Sequence, residues 1–175
     1  MPDDIEIRPI RATEYAAAGE ATAAAYREFR THDSSGWDAY IARIADVASR
    51  ADRATVLVAL DAGQIAGSAT LELDARISPG PTEPLGPDEA HLRMVGVSPE
   101  HRGKGIGRRL VVACIDLARA RGRHMMTLDT NELMLAARAL YTSLGFVSTG
   151  LFQRPGGPEL LGYRLDIPAE SRTTR

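Results

Sequence analysis

Six residues carry the clearest chemistry in this chain: Arg102-Gly103-Lys104-Gly105-Ile106-Gly107. Before them, Leu92-Arg93-Met94-Val95-Gly96-Val97 is an apolar run that ends at Ser98-Pro99-Glu100-His101. Pro99 cannot donate to a ladder and pushes Ser98 away from helix, so a strand stops there. After them, Ile106, Leu110, Ala113, Cys114, Leu117 and Ala118 recur at helical spacing. The opening N–H groups of a helix have no partner inside it, and its dipole places partial positive charge there. Three glycines let a bulky anion come close to the backbone, and Arg102 and Lys104 add charge. The combination predicts a phosphate site at a helix start.

The spacing narrows which phosphate. A Walker loop needs four residues between its first Gly and Gly-Lys-[Ser/Thr], and this turn lacks them. A dinucleotide fingerprint needs G-x-G-x-x-G, whereas the spacing here is G-x-G-x-G. No acidic residue ends a following strand at the expected distance either.

The elements that must position this turn follow from the pattern. Ile5-Glu6-Ile7-Arg8 alternates as a half-buried strand. Thr13 can cap a helix through the alanine-rich stretch to about Phe29. After a polar break at residues 31–36, Trp37, Tyr40, Ile41, Ile44 and Val47 mark a second amphipathic helix, with Ser35 as its cap. Thr55 to Leu60 is a β-branched strand, Asp61-Ala62-Gly63-Gln64 a hairpin turn, and Ile65 to Leu73 its return strand. Residues 74–88 hold four prolines and two glycines, a breaker density that no regular element survives. Such a long loop, leading into the central strand, is placed to cover a reaction site. The central helix stops at Gly122, after Arg119 and Arg121. Met125 to Asp129 reads as a short buried strand. Asn131 precedes a helix with Met134, Ala137, Tyr141 and Leu144 on one face, ended by Gly145. Phe146 to Thr149, a turn at Pro155-Gly156-Gly157-Pro158, and a strand from Leu161 to Ile167 complete the order β-α-α-β-β-β-α-β-α-β-β.

Two strings identify a family. Val97-Ser98-Pro99-Glu100-His101-Arg102-Gly103-Lys104-Gly105-Ile106-Gly107 resembles the V-x-P-x-x-[RQ]-G-x-G-x-G signature of GNAT-type N-acyltransferases. Ala139-Leu140-Tyr141-Thr142-Ser143-Leu144-Gly145-Phe146 resembles that family's A-x-x-L-Y-x-x-x-G-F segment. The order of elements is also the GNAT order, an α/β fold with a mixed sheet and helices on both faces. By this resemblance Arg102, Gly103, Lys104, Gly105, Ile106 and Gly107 hold the pyrophosphate of acetyl-CoA. Backbone groups of Met94, Val95, Gly96 and Val97 pair with the pantetheine arm and polarise the thioester carbonyl. Gly96 admits a ligand close to the strand, or fits a crowded sheet. Tyr141 aligns with the family's general acid, and its helix face also suits a core aromatic. Asn131 either bonds the pantetheine arm or caps the helix after it. Trp37 and Tyr40 border the acceptor pocket or form core and wall.

The resemblance implies transfer of an acetyl group to a primary amine of a small molecule or peptide. Such an amine, with pKa about 10.4, is neutral in only roughly one molecule in two thousand at pH 7, so a base helps. Many family members carry a Glu six residues before the Val matching Val97; this chain has His91 there. Imidazole can serve near neutrality, and Glu89 shares its strand face. His91 is the expected base with Glu89 assisting or substituting; both as solvated edge residues, or water as acceptor, are the alternatives. A non-catalytic acyl-CoA sensor and a longer acyl donor are the competing functions.

Composition bounds the rest. At 175 residues, residues 1–168 are expected to form one domain and 169–175 a frayed tail. A net charge of -2 argues against nucleic acid as the main partner. No apolar run is long enough to span a bilayer. One cysteine, Cys114, on an apolar helix face allows no internal disulfide and suits a reducing cytoplasm. His32, His101 and His124 lack ligand spacing, so no metal site is expected. Members of the family are often dimers, which makes a homodimer an expectation of the resemblance.

Overall fold

Among the described residues, alternation and breakers cut the chain into seven strands and five α-helices. The computed structural model describes residues 4–30, 36–74, 85–153 and 158–169. Its elements are β1 (Ile5–Pro9), α1 (Tyr15–Arg27), α2 (Trp37–Ala45), α3 (Val47–Ala51), β2 (Thr55–Asp61), β3 (Gln64–Glu72), β4 (Glu89–Val97), α4 (Ile106–Ala120), β5 (Met125–Thr130), α5 (Leu135–Ser143), β6 (Val147–Gln153) and β7 (Glu159–Asp166). The strands follow the order β1-β2-β3-β4-β5-β7-β6 in a mixed sheet. Ser35, most of the proline-rich loop, the turn at residues 155–157 and the end of the tail lie outside the described residues.

The expected element order holds with one addition, α3. The second helix does not run to Val47; it stops at Ala45. Asp46 leaves helical geometry, and its side chain caps α3 by accepting from the Ser49 N–H at 3.1 Å. The carbonyls freed by the break are taken by one buried guanidinium. Arg50 Nη1 donates to Arg43 O at 3.0 Å and Asp46 O at 2.9 Å, and Nε donates to Thr70 Oγ1 at 3.1 Å. Arg8 forks onto Glu14 at 2.6 and 2.9 Å while the Arg11 N–H donates to the same carboxylate at 2.8 Å. That clamp holds Ala12–Glu14 as a 3-10 turn, so the α-helix starts at Tyr15 and its cap residue is Glu14 rather than Thr13.

The chain divides into two compact units, Met1–Leu71 with Arg93–Cys114, and Glu72–Leu92 with Ile115–Arg175. It crosses from one to the other at the end of β3, inside β4 and inside α4. In the first unit, β1 pairs antiparallel with β2, and β2 pairs antiparallel with β3 through a hairpin closed by Asp61↔Gln64. Ala62 and Gly63 both take positive φ there, as a two-residue primed turn requires. Ala18, Val47, Val56, Val58 and Leu60 form its core, with Ile10, Tyr15, Ala51 and Ile65 packed on them.

In the second unit, Glu89–Leu92 of β4 runs parallel to Met125–Leu128 of β5. β7 lies antiparallel between β5 and β6. β5 is not buried throughout, as its apolar residues suggest. Met126, Leu128 and Thr130 are buried, while Met125, Thr127 and Asp129 form a half-buried face. That polar face positions the site described next.

Candidate active site

The predicted phosphate turn is built as its glycines require. Gly103 and Gly105 take φ of +80° and +74°, the left-handed region that other residues enter only with strain. A Cβ added at either would meet nothing within 4 Å, so the turn opens onto free space. The first intrahelical bond of α4 runs from the Arg109 N–H to Gly105 O at 3.1 Å. Helical geometry therefore leaves the N–H groups of Ile106 and Gly107 without partners inside the helix. Ile106 itself is buried and anchors the turn. The donor set and the open glycine face fit a diphosphate.

The two cations of the turn are held by carboxylates that sequence reasoning did not find. Lys104 Nζ and His101 Nδ1 both meet Asp61 Oδ2, at 2.5 and 2.8 Å. These two hydrogen bonds keep the Asp61 carboxyl below its usual range. Arg102 Nη2 pairs with Glu28 Oε1 at 2.7 Å. Their charge is thus partly spent on positioning the turn. Upstream, Met94 takes φ +49°, a rare conformation for a side chain of its size, and marks a kink in β4. Met94, Val95 and Val97 are half-buried. At Gly96 a Cβ would lie 3.0 Å from Thr22 Cγ2 and 3.1 Å from Ala25 Cβ of α1, so helix packing crowds that position.

His91 and Glu89 are brought together: His91 lies inside the sheet, and Glu89 is half-buried at the start of β4. His91 is only 2% exposed. In the parallel register His91 stands opposite Thr127. Its Nδ1 lies 2.9 Å from Thr127 Oγ1, which donates to Glu89 Oε1 at 2.6 Å. Glu89 Oε2 accepts from the Gly86 N–H at 3.2 Å. On the other side of the ring, His91 Nε2 is 3.8 Å from Asp129 Oδ2. The side chains of two adjacent strands thus make one line, Glu89–Thr127–His91–Asp129.

Tyr141 is buried, 6% exposed, near the C-terminus of α5. The helix stops at Gly145, φ +93°, with the Phe146 N–H bonded to Tyr141 O at 3.0 Å and the Gly145 N–H to Thr142 O at 3.1 Å. That is a Schellman stop, in which an apolar contact joins the two ends of the motif. Here the contact is Tyr141 on Phe146, ring centroids 5.7 Å apart, with Tyr163 at 6.1 Å from Tyr141. The spacing of the Tyr, Gly and Phe in the second string has this physical reason. Asn131 does not cap α5. Its side chain accepts from the Leu133 N–H at 2.8 Å, two residues on, and the cap residue is Met134. Trp37 and Tyr40 pack together at 5.5 Å, Tyr26 meets Tyr40 edge-on at 6.2 Å, and the Arg43 guanidinium sits 5.6 Å over the Tyr40 ring. Burial pushes the Cys114 thiol up to about 12, which makes it inert at neutral pH. Among the described residues no group of three or more His, Cys, Asp or Glu could hold a metal ion, and no helix is long and apolar enough to cross a membrane.

The family model described as acetyltransferase (GNAT) family matches residues 17–146, across both units. The chain belongs to that family. Among relatives within it, glucosamine 6-phosphate N-acetyltransferase of Trypanosoma brucei brucei is 33% identical over 107 residues, covering 61% of this chain and 67% of that one. Human N-acetyltransferase 8B is 45% identical over 59 residues, 34% of this chain. The chain spans 26% of the length of that human relative and 28% of a rat one, N-acetyltransferase family 8 member 3. A GNAT family acetyltransferase from Brucella melitensis in complex with acetyl-CoA shares the fold, with TM-score 0.62 at 22% identity over 95% of this chain and 93% of that one. Thr127 and Asp129, which flank the His91 ring, are residues that sequence reasoning did not single out. Their alternation with buried Met126 and Leu128 was the available signal.

Proposed function

We propose that this chain transfers an acetyl group from acetyl-CoA to a primary amine of a small molecule or peptide, with residues 1–168 acting as one transferase domain. The observation that carries the reading is the left-handed pair Gly103 and Gly105 opening on the N-terminus of α4, in a member of an acetyltransferase family. Acetyl-CoA, when bound, supplies the acyl group as a reactive thioester.

The chain's own residues have three tasks. The N–H groups at the start of α4 bind the diphosphate, with Arg102 and Lys104 beside them. His91 takes a proton from the attacking amine, so that the nitrogen keeps a usable lone pair. Tyr141 donates its phenolic proton to the sulfur as the carbon–sulfur bond breaks. A phenol of pKa about 10 is protonated at neutral pH and can serve a thiolate whose acid has pKa about 8.5. Met94 to Val97 offer backbone donors to the thioester carbonyl, and the kink at Met94 supports that role.

The test is thiol release from acetyl-CoA in the presence of an amine panel that includes an amino sugar phosphate, free amino acids and a short peptide. Release that depends on one amine supports transfer. Binding of acetyl-CoA without release, by any amine, would make the chain a sensor and end the enzymatic reading.

A further inference from the structure

The line of side chains across β4 and β5 determines where the proton sits on His91. A hydroxyl has one hydrogen. Thr127 gives its hydrogen to Glu89 Oε1 at 2.6 Å, so Thr127 Oγ1 is left only with lone pairs toward His91 Nδ1 at 2.9 Å. The imidazole must then donate from Nδ1. In neutral His91 the lone pair is therefore on Nε2, the nitrogen that faces Asp129 Oδ2 at 3.8 Å.

We infer that Thr127 is a positioning residue that locks His91 as the Nδ1–H tautomer, making Nε2 the atom that accepts the amine proton and Asp129 the carboxylate that holds the resulting imidazolium. This rests on the transfer reading above and adds two residues to it. Glu89 is then an anchor rather than a base. One of its oxygens accepts from Thr127 and the other from the Gly86 N–H at 3.2 Å. The carboxylate that can exchange protons with the surroundings is Asp129, whose side chain is 13% exposed against 2% for His91. In the step itself the nitrogen–hydrogen bond of the attacking amine breaks and its electron pair stays on nitrogen. The proton goes to Nε2 and then leaves past Asp129 to water. Without the Thr127 hydroxyl, the ring could protonate Nε2 against Asp129 instead and present no base there. The parallel register accounts for the arrangement: His91 pairs with Thr127, and each residue two positions away on its strand falls on the same face.

The experiment is ¹⁵N NMR of the imidazole nitrogens at a pH where His91 is neutral, in full-length protein, with a His91→Gln sample to assign its signals among the four histidines. The expected result is the Nδ1–H pattern in wild type and in Thr127→Ser, and a shift toward Nε2–H in Thr127→Val. Thr127→Val is also expected to lose about tenfold to a hundredfold in kcat/KM with whichever amine supports thiol release, while Thr127→Ser stays within about threefold. An Nε2–H tautomer in wild type overturns the inference without any variant. So does a Thr127→Val protein with unchanged turnover. A protein that shows the Nδ1–H tautomer but releases thiol with no amine overturns the transfer reading instead, so the two failures are distinguishable.

Discussion

Both ends of α4 are flanked by a glycine in the same strained backbone region, and that pair allows phosphate binding to be separated from folding. Gly105 precedes the helix at φ +74° and Gly122 follows it at φ +71°. Neither has any atom within 4 Å of where a Cβ would sit. In Gly105→Ala and Gly122→Ala the strain of placing Ala in the left-handed region is about 1–2 kcal/mol, partly offset by the lower entropy of the unfolded chain. A net loss of about 1 kcal/mol lowers Tm by about 2–4 °C in a chain of this size. The two variants are expected to match in that respect. They part in ligand binding. At Gly105 the new methyl group stands in the open space beside the helix start. Displacing the diphosphate from one charge-assisted hydrogen bond costs about 1.5–3 kcal/mol. That is about a tenfold to hundredfold rise in Kd for coenzyme A, measured by calorimetry. Gly122→Ala, at the helix C-terminus, is expected to bind within twofold of wild type. Equal Kd values in the two variants, with similar Tm losses, would refute the assignment of the turn as the diphosphate site.

Other expectations follow from single side chains. Tyr141→Phe keeps the ring against Phe146 and Tyr163 and removes the proton, so turnover is expected to fall by about a hundredfold with coenzyme A affinity retained, read by thiol release and calorimetry. The Arg8 fork and the Arg11 N–H hold the Glu14 carboxyl at about 2, below the ordinary 4.5. A depressed folded-state value stabilises above the ordinary one and is lost as pH falls toward the folded one. Calorimetric Tm of wild type should therefore fall more steeply than that of Glu14→Gln between pH 4.5 and 2, while at pH 7 wild type is the more stable. Arg50→Met removes the donor to Arg43 O, Asp46 O and Thr70, at an expected cost of about 1–3 kcal/mol in urea unfolding, because relief of a buried charge offsets part of the lost bonds. Cys114 is expected to stay unreactive to a thiol reagent until the protein is denatured, as its burial implies.

What could be read from the sequence, and what could not, divides along a physical line. The candidate anion turn rests on backbone geometry, which is spelled locally by Gly103, Gly105 and the helical period after them. The stop that places Tyr141 is equally local, since Gly145 and Phe146 complete it within five residues. The fold order was legible for the same reason. The exceptions arose where a side chain reached outside its own element. The helix break at Asp46 is held by Arg50 bonding to Thr70 on β3, and Lys104 is held by Asp61 from the hairpin. Neither pairing has a local signature.

His91 is the sharpest case. Taken alone, it departs from the family's usual Glu and weakens an inference of catalysis. Set opposite Thr127 and beside Asp129, it is a buried imidazole with a polar partner at each ring nitrogen. On the proposed reading the base is the His91 ring, with Glu89 of β4 anchoring Thr127 and Asp129 of the neighbouring strand facing Nε2. Only the register of β4 against β5 reveals this, because a shift of one residue would turn Thr127 and Asp129 to the other face and leave His91 beside Met126 or Leu128. On that reading the motif position changes residue type and keeps its chemistry because the strand next to it supplies the charge that faces the ring.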